Sequence, residues 1–287
     1  MTDAEFDEIA PVYDETRGVL DDETSTGIKE MLEKHGCHSI LEIGIGTGRV
    51  ALPLIKDDFQ VTGVDLSRKM MERASKKGVK NLVLAEGSRE PFKNKSFDAT
   101  MMAHVFHIMQ DPISVLHESA RVSKIGVFAL VRKDGMGRWW GYFRLGLSGN
   151  GWDVPDSEDS AIDDRTRKYL EERRNAFRAI AEKYGWSLEK QRQLHPRNWQ
   201  REQEILVRYP PDDLMTVSDI EVTPNLEDRL ARFEKNAYSY TLGMPEEMRQ
   251  EIIGEIRTNA AKFPERASQS RHVVYQLAMW RPETLKA

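Results

Sequence analysis

LEIGIGTGRVALPL, residues 41–54, is the stretch on which the architecture turns. It begins inside the apolar run HSILEI (38–43) and ends in a stretch with helical character, Arg49 to Lys56. Gly44, Gly46 and Gly48 lie between the two. Glycines let main-chain N–H groups come close to a ligand, and the helix that follows offers its N-terminus to an anionic group. The spacing is G-x-G-x-G. A dinucleotide fingerprint would need glycine where Arg49 stands, and a G-x-x-x-x-G-K-S/T phosphate loop is absent. Outward from this loop the alternation repeats. FQVTGV (59–64), NLVLA (81–85), FDATMMA (97–103) and IGVFALV (125–131) read as strands, several apolar throughout, as strands covered on both faces are. Lys69 to Lys77 after Ser67, and Ile113 to Val122 after Asp111-Pro112, read as helices with their N-caps in place. The fold expected is α/β, Rossmann-like and doubly wound, with a mainly parallel sheet.

Asp65 closes the second strand, where an acid can accept two hydrogen bonds from a ribose diol. The bland alternative is an exposed strand-end acid beside the helix cap at Ser67. Past Val131 the alternation stops. KDGMGRWWGYFRLGLSGNGWDVPDSEDS (133–160) is turn-rich and aromatic. Residues 161–184 are helical in pattern, with Tyr169, Phe177, Ile180 and Tyr184 on one stripe. Two further helices follow, and HVVYQLAMW (272–280) reads as a late, antiparallel strand. The expected division is therefore 1–132 as the sheet domain, 133–265 as a mainly helical insertion, and 266–287 as the strand that completes the sheet.

The chain has 287 residues and a net charge of −5, with one cysteine, Cys37. A single cysteine excludes an internal disulfide framework and thiolate zinc clusters, and a reducing, cytoplasmic setting is the simplest reading. The acidic N-terminus has no basic n-region or apolar h-region, and no apolar run reaches a membrane-spanning length. Net acidity speaks against nucleic acid as a partner. The basic run Arg165, Arg167, Lys168, Arg173, Arg174 and Arg178 reads as a solvated helix face, with an anionic substrate, RNA or a membrane surface as the other options.

With these blocks in order, the sequence resembles the class I S-adenosylmethionine-dependent methyltransferases, in their small-molecule, type 11 branch. The matching pieces are FDEIAPVYDETRG, ILEIGIGTGRVALPL, VTGVDLSRKMM, AEGSREPF, SFDATMMAHVFHIMQDP and VLHESARVSKIG, within residues 4–132. The resemblance implies S-adenosylmethionine as cofactor. It places Glu42 and the Gly44–Gly48 backbone at the amino-acid end, Asp65 on the ribose, and Leu66 and Met70 on the adenine. Glu86 takes the position that accepts the adenine amino group, and Gly87 offers its N–H to the ring. The family usually has Asp at position 86 and Leu at position 90, where this chain has Glu. Phe6 to Arg17 would fold over the cofactor, with Tyr13 near the sulfonium, where an aromatic face suits a cation, and Arg17 near the carboxylate. An ordinary helix packed on the sheet edge is the alternative.

His104 and His107, in MAHVFHIM, fall at the carboxyl end of the fourth strand, which faces the ligand crevice of a doubly wound sheet. His104 is read as lining the cofactor pocket and, with Tyr13, as a candidate catalytic residue; an imidazole could take an acceptor proton. His107 is a candidate for the acceptor pocket, and a resemblance of the tail, NAYSYTLGMPEEMRQEIIGEIR with HVVYQLAMW, to the ending of one bacterial and archaeal subgroup adds Tyr238, Ser239 and Tyr240, with core packing as the alternative; no metal is expected. Trp139, Trp140, Tyr142 and Phe143 read as an aromatic seal or an apolar acceptor pocket. The function expected is methyl transfer to a small-molecule acceptor by in-line displacement. The alternatives are an RNA methyltransferase or a cofactor-binding partner protein without turnover, and a homodimer is left open.

Overall fold

The computed structural model describes residues 3–17, 20–133, 164–186, 201–223, 225–235, 244–262 and 271–286. Seven strands form one sheet: β1 (Ser39–Ile43), β2 (Gln60–Asp65), β3 (Asn81–Leu84), β4 (Phe97–Ala103), β5 (Ser123–Arg132), β6 (Asp213–Val222) and β7 (Arg271–Trp280). Their order is β3-β2-β1-β4-β5-β7-β6. β1 pairs in parallel with β2 and β4, β2 with β3, and β4 with β5, while β7 runs antiparallel to β5. The Rossmann-like expectation therefore holds. The strand order reverses between β1 and β4, and in such sheets the carboxyl ends at that switch open a ligand crevice.

Both faces of the central strands are covered, which is why they carry few polar residues. Leu41, Ile43, Val127 and Ala129 join one core with Leu116 and Ala120 of a helix at Pro112–Val122. Ile40, Met101, Phe128 and Leu130 join the other, with side chains from Asp22–Lys34, Ala51–Lys56 and Arg68–Lys76. In chain order the helices of this unit are α1 (Asp3–Arg17), α2 (Asp22–Lys34), α3 (Ala51–Lys56), α4 (Arg68–Lys76) and α5 (Pro112–Val122). The predicted caps form: the Ser67 hydroxyl accepts from Met70 N–H at 3.1 Å, and Asp111 accepts from Ser114 N–H at 3.0 Å. α6 (Asp164–Lys183), α7 (Arg201–Arg208), α8 (Leu226–Glu234) and α9 (Glu246–Lys262) follow.

The chain divides into two compact units, and the division corrects the sequence reading. Residues 136–196 and 222–271 form one unit, but residues 197–221 return to the sheet unit with 1–135 and 272–287. The stretch expected to be one helical insertion thus contributes α7 and β6 to the sheet unit. β6, DLMTVSDIEV, escapes the reading because it is an edge strand with a largely solvated face. Acids at Asp213, Asp219 and Glu221 break the apolar signal while guarding the edge. The other unit has its own core, in which Phe177 of α6, Phe233 of α8 and Met248 and Ile252 of α9 are buried. There the Tyr184 hydroxyl donates to Glu251 at 2.8 Å.

Candidate active site

The loop after β1 is held in a shape only glycine takes readily. Gly44, Gly46 and Gly48 have φ of 70°, 54° and 81°. Gly44 and Ile45 both donate to Val64 O, at 2.8 and 3.1 Å, which pins the loop to the end of β2. A Cβ at Gly44 would stand 2.6 Å from Val105 Cγ1, whereas one at Gly46 would meet nothing nearer than Gly44 O at 4.0 Å. The loop therefore packs tightly at its base and leaves room above Gly46.

Asp65 reaches into this loop. Its Oδ2 accepts from Gly46 N–H at 2.7 Å and its Oδ1 from Ser67 N–H at 2.8 Å. Burial pushes its carboxyl up from the usual range, and these amide bonds oppose that push. Glu42, two residues before the first glycine, is buried at 3 % exposure, and its Oε2 has no hydrogen-bond partner. Burial, reinforced by the charge of Asp65, pushes its carboxyl up to about 8, against the Ala51 N–H and the charge of Arg49. Two acids and a row of glycine amides thus share the crevice end of β1 and β2. An orphaned buried carboxyl oxygen beside a second acid suits a cationic ligand.

Helix α1 is fastened to this loop by acids that the sequence reading did not single out. Asp14 accepts from the Thr47 hydroxyl at 2.5 Å and pairs with Lys77 at 2.7 Å and Arg73 at 3.3 Å. Two turns away on the same face, Asp7 accepts from the Ser67 hydroxyl at 2.6 Å and from Lys69 N–H at 3.1 Å. Part of the signal is in the sequence, since two acids seven residues apart share a helical face, but that this face meets the amides of the α4 N-terminus is decided by the fold. Tyr13 and Arg17 lie on the same helix, the guanidinium 5.7 Å from the ring centroid.

The remaining candidates divide. Leu66 is 46 % exposed at the mouth of the crevice, but Met70 is buried in α4. Gly87 is close-packed, since a Cβ there would be 2.7 Å from Ile43 Cγ2, and Glu86 beside it is exposed. Glu90 is buried, with neither carboxyl oxygen partnered, and burial together with Glu118 pushes it up to about 8. His104 follows β4 with φ of 57°, its ring set edge-on to Tyr275 of β7 with centroids 5.4 Å apart. Burial and the charges of Arg49, Arg132 and Arg17 drive its imidazole down to about 3. A neutral ring of that kind lines a pocket but is a weak proton acceptor near pH 7. His107 is half-buried in the turn that follows. Tyr238, Ser239 and Tyr240, and the cluster Trp139, Trp140, Tyr142 and Phe143, lie outside the described residues. Among the described residues, a cavity of about 340 Å³ lies between α2 and β6, away from this crevice, lined by Asp22, Glu23, Glu30, Met215 and Val217.

Comparison with known proteins agrees with this geometry. Residues 41–131 match the family model of a methyltransferase domain, Methyltransf_11. An uncharacterised protein of Methanocaldococcus jannaschii is 39 % identical over 87 residues, covering 30 % of this chain and 40 % of that protein. Demethylmenaquinone methyltransferase of Thermotoga maritima is 32 % identical over 127 residues, covering 42 % of this chain and 55 % of that enzyme. The chain thus spans about half the length of these relatives. A crystal structure from Anabaena variabilis, assigned as a methyltransferase of an antibiotic biosynthesis pathway, aligns over 91 % of this chain and 98 % of its own, with a TM-score of 0.53 and 14 % identity, which speaks to the fold. Residues 41–131 are a class I S-adenosylmethionine-dependent methyltransferase domain. The residues present fit that donor: the unpartnered Glu42 Oε2 suits an ammonium group, and the space above Gly46 leaves a main-chain surface open. Among the described residues, no helix is long and apolar enough to cross a membrane.

Proposed function

We propose that this protein transfers a methyl group from S-adenosylmethionine to a small-molecule acceptor. The carrying observation is the meeting of Gly46 N–H with Asp65 at 2.7 Å, beside a buried Glu42 whose Oε2 lacks a partner. The donor supplies an electrophilic methyl on a sulfonium; transfer breaks the S–CH₃ bond, returns its electron pair to sulfur, and joins the methyl to the acceptor's lone pair. The chain's residues bind, orient and exclude water around that event, from which a displacement reaction gains most. Glu42 holds the ammonium group and Asp65 the ribose hydroxyls. The Gly44–Gly48 backbone lies against the amino-acid end, Leu66 covers the adenine with Met70 supporting it from below, and Glu86 and Gly87 meet the adenine edge. Helix α1, latched by Asp7 and Asp14, brings Tyr13 and Arg17 over the donor. His104, neutral at pH 7, lines the pocket and needs no role as a base. His107 is assigned to the acceptor side.

Isothermal titration with S-adenosylmethionine and S-adenosylhomocysteine tests this reading. Micromolar binding to the wild type, weakened ten- to hundredfold by Asp65→Ala, is expected, since each charged hydrogen bond lost from a buried site costs ~1.5–3 kcal/mol. No binding, or binding indifferent to Asp65, would refute it.

A further inference from the structure

The far side of the crevice carries the opposite charge. Arg132 ends β5 and stands in register with Tyr275 of β7. Residues opposite one another in an antiparallel pair project from the same face of the sheet. The Tyr275 ring rests on the His104 imidazole, so Arg132, Tyr275 and His104 form one group at the carboxyl ends of β4 and β5. The Arg132 Nε is buried and has no hydrogen-bond partner. The nearby acid, Glu202 of α7, spends its hydrogen bond on the main chain: its Oε2 accepts from Arg132 N–H at 3.3 Å. Burial pushes the Glu202 carboxyl up, against that amide bond and the charge of Arg132, so the guanidinium has an acid nearby but its Nε is not bonded to it. The charges of Arg49 and Arg17 reach the same imidazole. An orphaned buried guanidinium nitrogen in native structure calls for a partner, and arginine matches carboxylates and phosphates in shape as well as charge.

Resting on the function proposed above, we propose that the methyl acceptor is an anion, a carboxylate or a phosphate ester, and that Arg132, beside Tyr275 and His104, holds its negative group. The donor's own carboxylate is the competing occupant. Strand spacing argues against it: β5 lies two strands from β1, roughly 10 Å at ~4.8 Å per strand, whereas Glu42 and the glycine loop sit at β1 and Asp65 at β2. The acids therefore line the donor's cationic side, and Arg132 faces the side left for the acceptor. A neutral imidazole beside the guanidinium adds a hydrogen-bonding group without a second permanent charge.

The test uses the full chain with isotopically labelled histidine, observed by NMR at pH 7.0 with and without S-adenosylhomocysteine. Sodium phosphate and sodium acetate are added separately, each against sodium chloride at equal ionic strength, which removes general screening. The His104 resonance is assigned by its loss in His104→Asn. The expected result is a saturable shift of that resonance with phosphate, acetate or both, weakened at least tenfold in Arg132→Gln and partly kept in Arg132→Lys. S-adenosylhomocysteine affinity stays within twofold of wild type in both variants. The proposal is overturned by no saturable shift in the wild type, by the same response in Arg132→Gln, or by a tenfold loss of S-adenosylhomocysteine affinity in that variant, which would give Arg132 to the donor. Should Arg132→Gln fail to fold, the wild-type and Arg132→Lys titrations decide. Calorimetry on the wild type reads donor binding separately, so failure of the proposed function is distinguishable from failure of the anion site.

Discussion

Replacing Glu42 with Gln should weaken donor binding while stabilising the fold, a pair of effects that a simple packing residue would not produce. Glu42 is almost wholly buried, and its carboxyl sits at about 8 against an ordinary 4.5, first through burial and then through the charge of Asp65. At pH 7 the free protein therefore holds it mostly protonated, and an ammonium group selects the ionised form. Well below 8 each pH unit then lowers donor affinity about tenfold, ~1.4 kcal/mol, and roughly fiftyfold separates pH 6 from pH 8, since half the carboxyls are already ionised at the midpoint. In Glu42→Gln that dependence should vanish, and affinity at pH 8.5 should fall 10- to 100-fold, the size of a lost charged hydrogen bond of ~1.5–3 kcal/mol. Stability has the opposite sign. A raised carboxyl pKa means the folded state holds the proton more tightly than the unfolded chain. Stability thus falls by up to roughly 1.4 kcal/mol per pH unit between the ordinary value and about 8, and levels off above. At pH 9 Glu42→Gln should melt higher than wild type. Titration calorimetry from pH 6 to 8.5, in two buffers of different ionisation enthalpy, counts the protons: about one released at pH 6.5 by wild type and none by the variant. A flat wild-type affinity, or an equal slope in the variant, would refute the reasoning.

Asp65→Ala should lower melting temperature as well as donor affinity, because Gly46 and Ser67 N–H lose their acceptor; differential scanning calorimetry reads the first effect. Glu90→Leu should raise melting temperature, and more at pH 9 than at pH 5. Its raised carboxyl carries an ionisation cost that grows from the ordinary value up to about 8, and Leu carries none. Asp14→Ala should cost about 1 kcal/mol or less, since its ion pairs are partly exposed, yet hydrogen exchange across residues 3–17 should quicken because the Thr47, Arg73 and Lys77 contacts go together. Gly44→Ala should destabilise by ~1–3 kcal/mol, from a left-handed φ and the contact with Val105, visible in urea melts.

Much of the sheet was legible because its signals are local. Five strands between residues 38 and 131, and the last at 272–280, announce themselves as apolar runs since both faces or one whole face must be covered. Ser67 and Asp111 mark helix starts because a side-chain oxygen two or three residues from the orphan N–H groups is a property of the chain alone. The glycine loop and Asp65 were legible for the same reason: their positions at strand ends follow from where the apolar runs stop. β6 was not legible, because an edge strand with one solvated face lacks that contrast. The latch of α1 was overlooked, because the partners of Asp7 and Asp14 come from residues 47–77, and only folding brings them opposite one another.

The sequence alone determined that strands and helices alternate around a glycine turn and that an acid stands one strand further on. The tertiary structure decided the charges of the crevice. Burial beside Asp65 turns Glu42 into a proton-holding carboxyl, and enclosure with three arginines leaves His104 neutral. Chain spacing cannot express either effect, because desolvation and long-range charge depend on what the fold packs around a group, not on its neighbours in sequence.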